Sequence, residues 1–178
     1  MQGIPPLTTD HQLILECLEV LRLISERLET EERVETEDIR TVLAFLRDVG
    51  CECLAHTEHL LLRPALARAR RREDIKLLRT ALALHATIPA LFDDTASDVT
   101  FPKHFVHHAH LLTKLIGDLI FEEDHYLLQA TLDLLTDPEG QQSVEKFKEQ
   151  EREISAIAAE LSPTLRRIEM KYAYPRCI

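Results

Sequence analysis

Glycine is scarce in this chain, with 4 among 178 residues, and aromatic residues make up only 5% with no tryptophan. A β-sandwich or barrel draws on glycine turns and aromatic strands, so both folds are disfavoured. No uninterrupted apolar run reaches 18 residues, so no transmembrane helix is expected. The opening residues MQGIPPLTTDH lack the basic start and apolar stretch of a secretory leader. With no leader, a cytoplasmic location is expected, and Cys17, Cys51, Cys53 and Cys177 are expected as reduced thiols. One residue separates Cys51 from Cys53, which is not the usual zinc or redox spacing, so they read as small buried or half-buried residues. Excess positive charge is also absent: the net charge of −10 argues against nucleic acid as the main partner. The one basic run, Arg68 to Arg72, is followed by Glu73 and Asp74 and reads as a solvated loop. There is no nucleophile triad, glycine-rich phosphate loop or zinc-finger spacing.

What is present is helix-forming sequence. Leu, Ala, Glu and Arg dominate. Apolar residues recur at helical spacing in four long segments, predicting helices over roughly 10–28, 37–66, 74–92 and 101–135. A fifth follows from about 141. Thr9 and Gln12 have the spacing of a capping box, and Thr36 with Glu37 and Asp38 suits a helix start. Pro64 is expected to end or kink the second helix, and Ser162-Pro163 to restart a short final piece. Asp93 to Thr100 reads as a loop. Short connections favour antiparallel neighbours, so the expectation is all-α. A single domain is an up-down four-helix bundle over 10–135, with an additional C-terminal helix over 141–172.

The chain is organised around 101–135. There Leu111, Leu115, Asp118, Glu122 and His125 share one lane at steps of three and four residues. That lane is expected to run through the buried stripe, so its carboxylates must be paired, protonated or bound to metal. The other helices bring His11, Glu58 and His85. Imidazole and carboxylate together suit iron, manganese or zinc, and inward carboxylates and histidines on facing helices are how bundles build dinuclear sites. Each residue also has a plainer reading: His11 as an exposed first-turn residue, His85 as a satisfied core histidine. His56, Glu58 and His59 in LAHTEH fall on different helix faces. His104, His107, His108 and His110 read as a polar helix end, or else as a metal or pH-sensitive patch.

Asp10-His11, the segment FLRDVGCECLAHTEHLLLRPAL (45–66), His85, and DLIFEEDHYLL (118–128) together resemble the hemerythrin-like, or HHE cation-binding, family. The resemblance covers residues 10 to about 135. It implies a non-haem, di-iron site in a four-helix bundle, handling dioxygen, peroxide or nitric oxide. In the family's H-x-x-x-E register, Glu58 and Glu122 match the two glutamates, while Leu54 and Asp118 stand where histidines are usual. The implied ligands are therefore His11, Glu58, His85, Asp118 and Glu122. His56 or His59 could replace the ligand missing at Leu54, and His125 could be an outer partner. Such a site would hold one iron more weakly than the other, giving partial occupancy. The alternatives are a degenerate bundle acting as a sensor or interaction module, and iron storage or ferroxidase-like activity. Neither nucleic acid nor membrane is expected as a partner, and a homo-oligomer is left open.

Overall fold

The computed structural model describes residues 8–173, and every described element is helical. Five rods account for nearly all of it. α1 is Thr8–Glu29. α2 is a continuous rod over 36–68, in which two π-helical stretches, Leu46–Cys51 and Glu58–Leu62, interrupt α-helix. α3 is Arg72–Ser97, followed by one 3₁₀ turn, Asp98–Thr100. α4 covers 102–134 and carries a third π stretch at Glu123–Leu127. α5 is Pro138–Ala173.

The expected boundaries lie within a few residues of these, with two differences. α3 runs through Asp93 to Ser97, where a loop was expected; the stretch has no glycine, and Thr95 there is buried with its hydroxyl donating to the Leu91 carbonyl at 2.7 Å. α5 passes through Pro163 without restarting. Neighbours hold it there, since Ile154, Leu165, Ile168 and Tyr172 bury one continuous stripe across the proline. Packing of such a stripe outweighs the local cost of a helical proline. At the other proline, Pro64 lies in the first turn after a π stretch, where a missing N–H is least costly.

Two contacts orient α1 against α4. His11, near the start of α1, meets Asp124 in the last part of α4, and Glu29 at the end of α1 lies 3.9 Å from His110 near the start of α4. The two rods are therefore antiparallel. α3 packs along α4, and α5 packs along α1. The termini of α5 are fixed by ions. Arg68 holds Asp137 at 2.7 Å just before the helix, and Lys171 and Tyr172 near its end reach Asp38 at 2.6 and 2.8 Å.

Two apolar clusters form the interior. The larger joins α1, the first half of α2, the end of α3, the start of α4 and the last part of α5. The smaller gathers Leu61, Leu62, Leu78, Leu127, Val144 and Phe147. Between them lies a polar layer containing His11, His85, Thr57 and Glu123, all buried.

Helix Arg72–Thr100 is long and apolar enough, by length and composition alone, to cross a membrane. Scattered charges hide this from a search for uninterrupted apolar runs. In this fold it is a packed rod that puts His85 in the interior. Cys17, Cys51 and Cys53 form no disulfide, while Cys177 lies outside the described residues.

Candidate functional site

The polar layer is centred on Glu123, which is 3% exposed. Leu112, Ile116, Leu119, Ile120 and Leu127 form the buried stripe of α4, and Glu123 stands in that stripe four residues before Leu127. It is also the first residue of the third π stretch, a distortion that often accompanies functional sites. Isolated, a buried carboxylate would cost several kcal/mol. Here two histidines meet it. His85 Nε2 lies 3.0 Å from Oε1, and His11 Nε2 lies 3.3 Å from Oε2.

The outer nitrogens of both rings are also held. His11 Nδ1 lies 2.8 Å from the Asp124 carboxylate, and His85 Nδ1 lies 3.2 Å from the Leu54 carbonyl oxygen. Both outer partners only accept hydrogen bonds, so each fixes a proton on Nδ1. Both Nε2 atoms are then aimed at one carboxylate. Something positive must stand between each Nε2 and Glu123, either a proton or a metal cation. The chain Asp124–His11–Glu123–His85–Leu54 carbonyl ties α1, α2, α3 and α4 at one level.

Cys53 joins this group from α2. Its side chain is 4% exposed, and its thiol and the His11 ring form a hydrogen bond. Burial alone would lower the pKa of His11, but Cys53 and Glu123 overcome it and raise it to about 11. Burial would raise the carboxyl of Glu123; hydrogen bonds and charge from His11 and His85 outweigh it and hold the carboxyl below its ordinary value. His11 and Glu123 thus face each other as an ion pair.

Beside it lies a cavity lined at its polar end by His11, Cys53 and Glu123 and elsewhere by Ile14, Leu46, Gly50, Cys51, Leu54, Ile88, Phe92, Ile116 and Ile120. The space open to the centre of a water-sized sphere is about 10 Å³, roughly enough for one water or one small diatomic.

His11 and His85 are thus brought together, as their positions on separate helices suggested. The three carboxylates expected with them are elsewhere. Asp118 is 63% exposed on its side chain and pairs with Lys114. Glu122 is exposed on the outer face of α4. Glu58 is partly exposed and pairs with Arg63. The lane Leu111, Leu115, Asp118, Glu122, His125 borders the buried stripe rather than running through it, since Leu111 is 44% exposed. The packed face is centred one residue further on, which replaces Glu122 by Glu123. In α2 the buried positions are likewise Cys53 and Thr57, not Leu54 and Glu58.

The remaining histidines are also outside the layer. His125 is exposed, bonds the Phe121 carbonyl at 2.8 Å and stacks on the Phe121 ring. His59 is exposed. His56 is half-buried, with Nε2 3.7 Å from Glu52 and Nδ1 buried without a hydrogen bond. His104, His107 and His110 are exposed, and His108 pairs with Asp98 at 2.9 Å. Glu123, Asp124 and Cys53 were not singled out from the sequence. The signal for Glu123 was its position four residues before Leu127 in the most apolar lane of α4.

The two-iron group implied by the resemblance does not fit these residues. Two irons would bring at least four positive charges, and Glu123 is the one carboxylate between the histidines. Among the described residues, no three His, Cys, Asp or Glu side chains already stand as a metal-holding group. No family model, curated protein or solved structure matches the chain.

Proposed function

We propose that this chain is a hemerythrin-like bundle, α1 to α4 with α5 appended, that binds one divalent first-row metal ion through His11, His85 and Glu123. On this reading the small ligand is dioxygen, peroxide or nitric oxide. The observation that carries the reading is the paired orientation of the rings. Both Nδ1 atoms are held by acceptors outside the layer, and both Nε2 atoms face the same carboxylate. That is how metal-binding histidines are oriented, with an outer acceptor fixing the tautomer. Donors bonded to one ion at about 2.0–2.2 Å lie roughly 3–3.5 Å from each other. The Nε2-to-carboxylate separations of 3.0 and 3.3 Å, one to each oxygen of Glu123, are in that range. An ion would take the place of the direct contacts between the rings and Glu123.

A bound ion would supply an open position for a small ligand. The chain's own residues do the rest. Asp124 and the Leu54 carbonyl orient the rings. Ile14, Ile88, Phe92, Ile116 and Ile120 keep bulk water from the cavity, so an uncharged diatomic is favoured over a hydrated ion.

A second reading rests on the closed contacts. As they stand, the Glu123 hydrogen bonds satisfy both rings, so the layer can serve as a structural latch in a degenerate bundle used for sensing or interaction. Metal analysis decides between them. The protein is loaded with Fe²⁺ or Zn²⁺, desalted, and assayed by plasma mass spectrometry. The metal reading expects one ion per chain, lost in His85→Ala and in Glu123→Gln but kept in Asp118→Ala and Glu122→Ala. No retained metal, or retention in Glu123→Gln, sinks it in favour of the latch.

A further inference from the structure

We infer that the outer face of α3 and α4 docks a second copy of this chain, forming a two-fold dimer in which each α3 lies antiparallel in the other copy's α3–α4 groove. The inference does not depend on a metal. It starts from α3, which is apolar enough to cross a membrane although only 28% of its most apolar 18-residue stretch is buried. From Thr80 to Phe92 there is no Asp, Glu, Lys or Arg. Yet Thr80, Ala83, Ala86, Thr87, Pro89 and Ala90 are exposed. A helix face left in water is ordinarily charged or polar. α5 packs along α1 and α2, so it does not cover this side of the bundle.

Two grooves run end to end along the seam between α3 and α4, and Asp118 borders both. Leu84 and Leu91 line them from α3, and Leu111, Leu115 and Phe121 from α4. Leu111 is 44% exposed and Phe121 53%. Adjoining apolar side chains of this kind mark an interaction surface. From Leu77 to Asp94 the seam is about 25 Å long and two rods wide, roughly 500 Å² per copy. That is the low end for a specific interface, so the dimer should dissociate on dilution.

Charge identifies the occupant. Lys76 and Arg79 are exposed at one end of the uncharged stretch, and Asp93 and Asp94 at the other. Steps of three and four residues put Arg79, Ala83, Ala90 and Asp94 on one face. Arg79 and Asp94 form no side-chain ion pair with another described residue. Read along the helix, the face is positive, small, small and negative, and an antiparallel copy of it is its complement. A two-fold axis beside Thr87 sets Arg79 against Asp94 of the second copy and Ala83 against its Ala90, and symmetry makes each contact twice. The small side chains let two helices approach to the 8–10 Å of a packed pair. Asp118, near the middle of the seam, is already paired with Lys114 and brings no bare charge. A partner of one charge sign would match only one end of this face.

The test is sedimentation equilibrium of the full chain from micromolar to submillimolar concentration. The wild type is expected to pass from monomer to dimer. Arg79→Glu and Asp94→Arg should each weaken the dimer by about tenfold, because each sets like charges against one another twice. An equal mixture of the two variants should associate like the wild type, since their heterodimer has one native and one reversed ion pair. A monomer at every concentration, a dimer indifferent to both substitutions, or no rescue in the mixture would overturn the proposal. A monomer that floats with phosphatidylcholine vesicles would overturn it in favour of a lipid surface.

Discussion

Glu123 and His85 meet at 3.0 Å with side chains 3% and 1% exposed, so a carboxylate on α4 and an imidazole on α3 satisfy each other almost out of reach of water. The contact lies one residue away from Glu122, the acidic residue that the resemblance implied as a ligand. Glu122 and Glu123 are adjacent and chemically alike, and their burial sets them apart.

That difference is measurable as stability. Glu123→Ala removes the buried carboxylate that meets both His11 and His85, and removing one member of a buried pair costs about 3–5 kcal/mol. Glu122→Ala, on the solvent face, should change stability by less than about 0.5 kcal/mol. Urea unfolding of the metal-free variants checks this, and equal effects would show that the two positions are equivalent.

Leu54 holds the His85 ring through its backbone, while the residue also lines the neighbouring cavity. Its carbonyl oxygen lies 3.2 Å from His85 Nδ1. On the proposed metal reading, Leu54→Ala should keep the metal loading of the wild type, whereas His85→Ala should abolish it. Metal retention after desalting reads both. Loss of metal in Leu54→Ala would mean that the side chain itself shapes the site.

At the opposite end of α5, Asp38 accepts from Lys171 at 2.6 Å and from the Tyr172 hydroxyl at 2.8 Å. Burial alone would raise its carboxyl, but these two partners hold it below its ordinary value. A carboxyl lowered on folding adds stability above its unfolded pKa, and that contribution fades as pH falls through the folded value. Asp38→Asn should thus cost about 1–3 kcal/mol at pH 7, in line with a charge-assisted hydrogen bond. The gap to wild type should close in acid. Chemical denaturation from pH 7 down to pH 3 tests the sign, and a gap that widens in acid would refute the assignment.

Gly140 marks where α5 leaves the end of α4. A Cβ there would lie 2.8 Å from the Leu135 Cα and 2.9 Å from its carbonyl carbon, both backbone atoms that cannot swing aside. Its N–H also donates to Asp137 at 2.6 Å. Gly140→Ala should destabilise by about 1–3 kcal/mol, the usual cost of overpacking. Thermal unfolding would show it; an unchanged midpoint would mean that the turn can open.

The sequence by itself determined the all-helical class and nearly all of the helix positions, because apolar periodicity and scarce glycine are local properties. It also pointed to His11 and His85 on separate helices. The inward lane of α4 was decided by tertiary structure. Two adjacent lanes of that helix both carry leucines and an acidic residue, and 3.6-residue arithmetic cannot choose between them. Packing against α1 and α3 buries Ile116, Leu119, Ile120 and Glu123 and leaves Leu111, Asp118 and Glu122 at the surface. Likewise, in α2 burial selects Cys53 and Thr57 over Leu54 and Glu58, in the α-helical stretch between two π segments. Each π turn rotates the residues after it relative to a regular helix, and that rotation has no signature in the order of residues. The continuity of α5 through Pro163 has the same origin: the proline is local, but the stripe that holds the helix together is completed by side chains on α1 and α2.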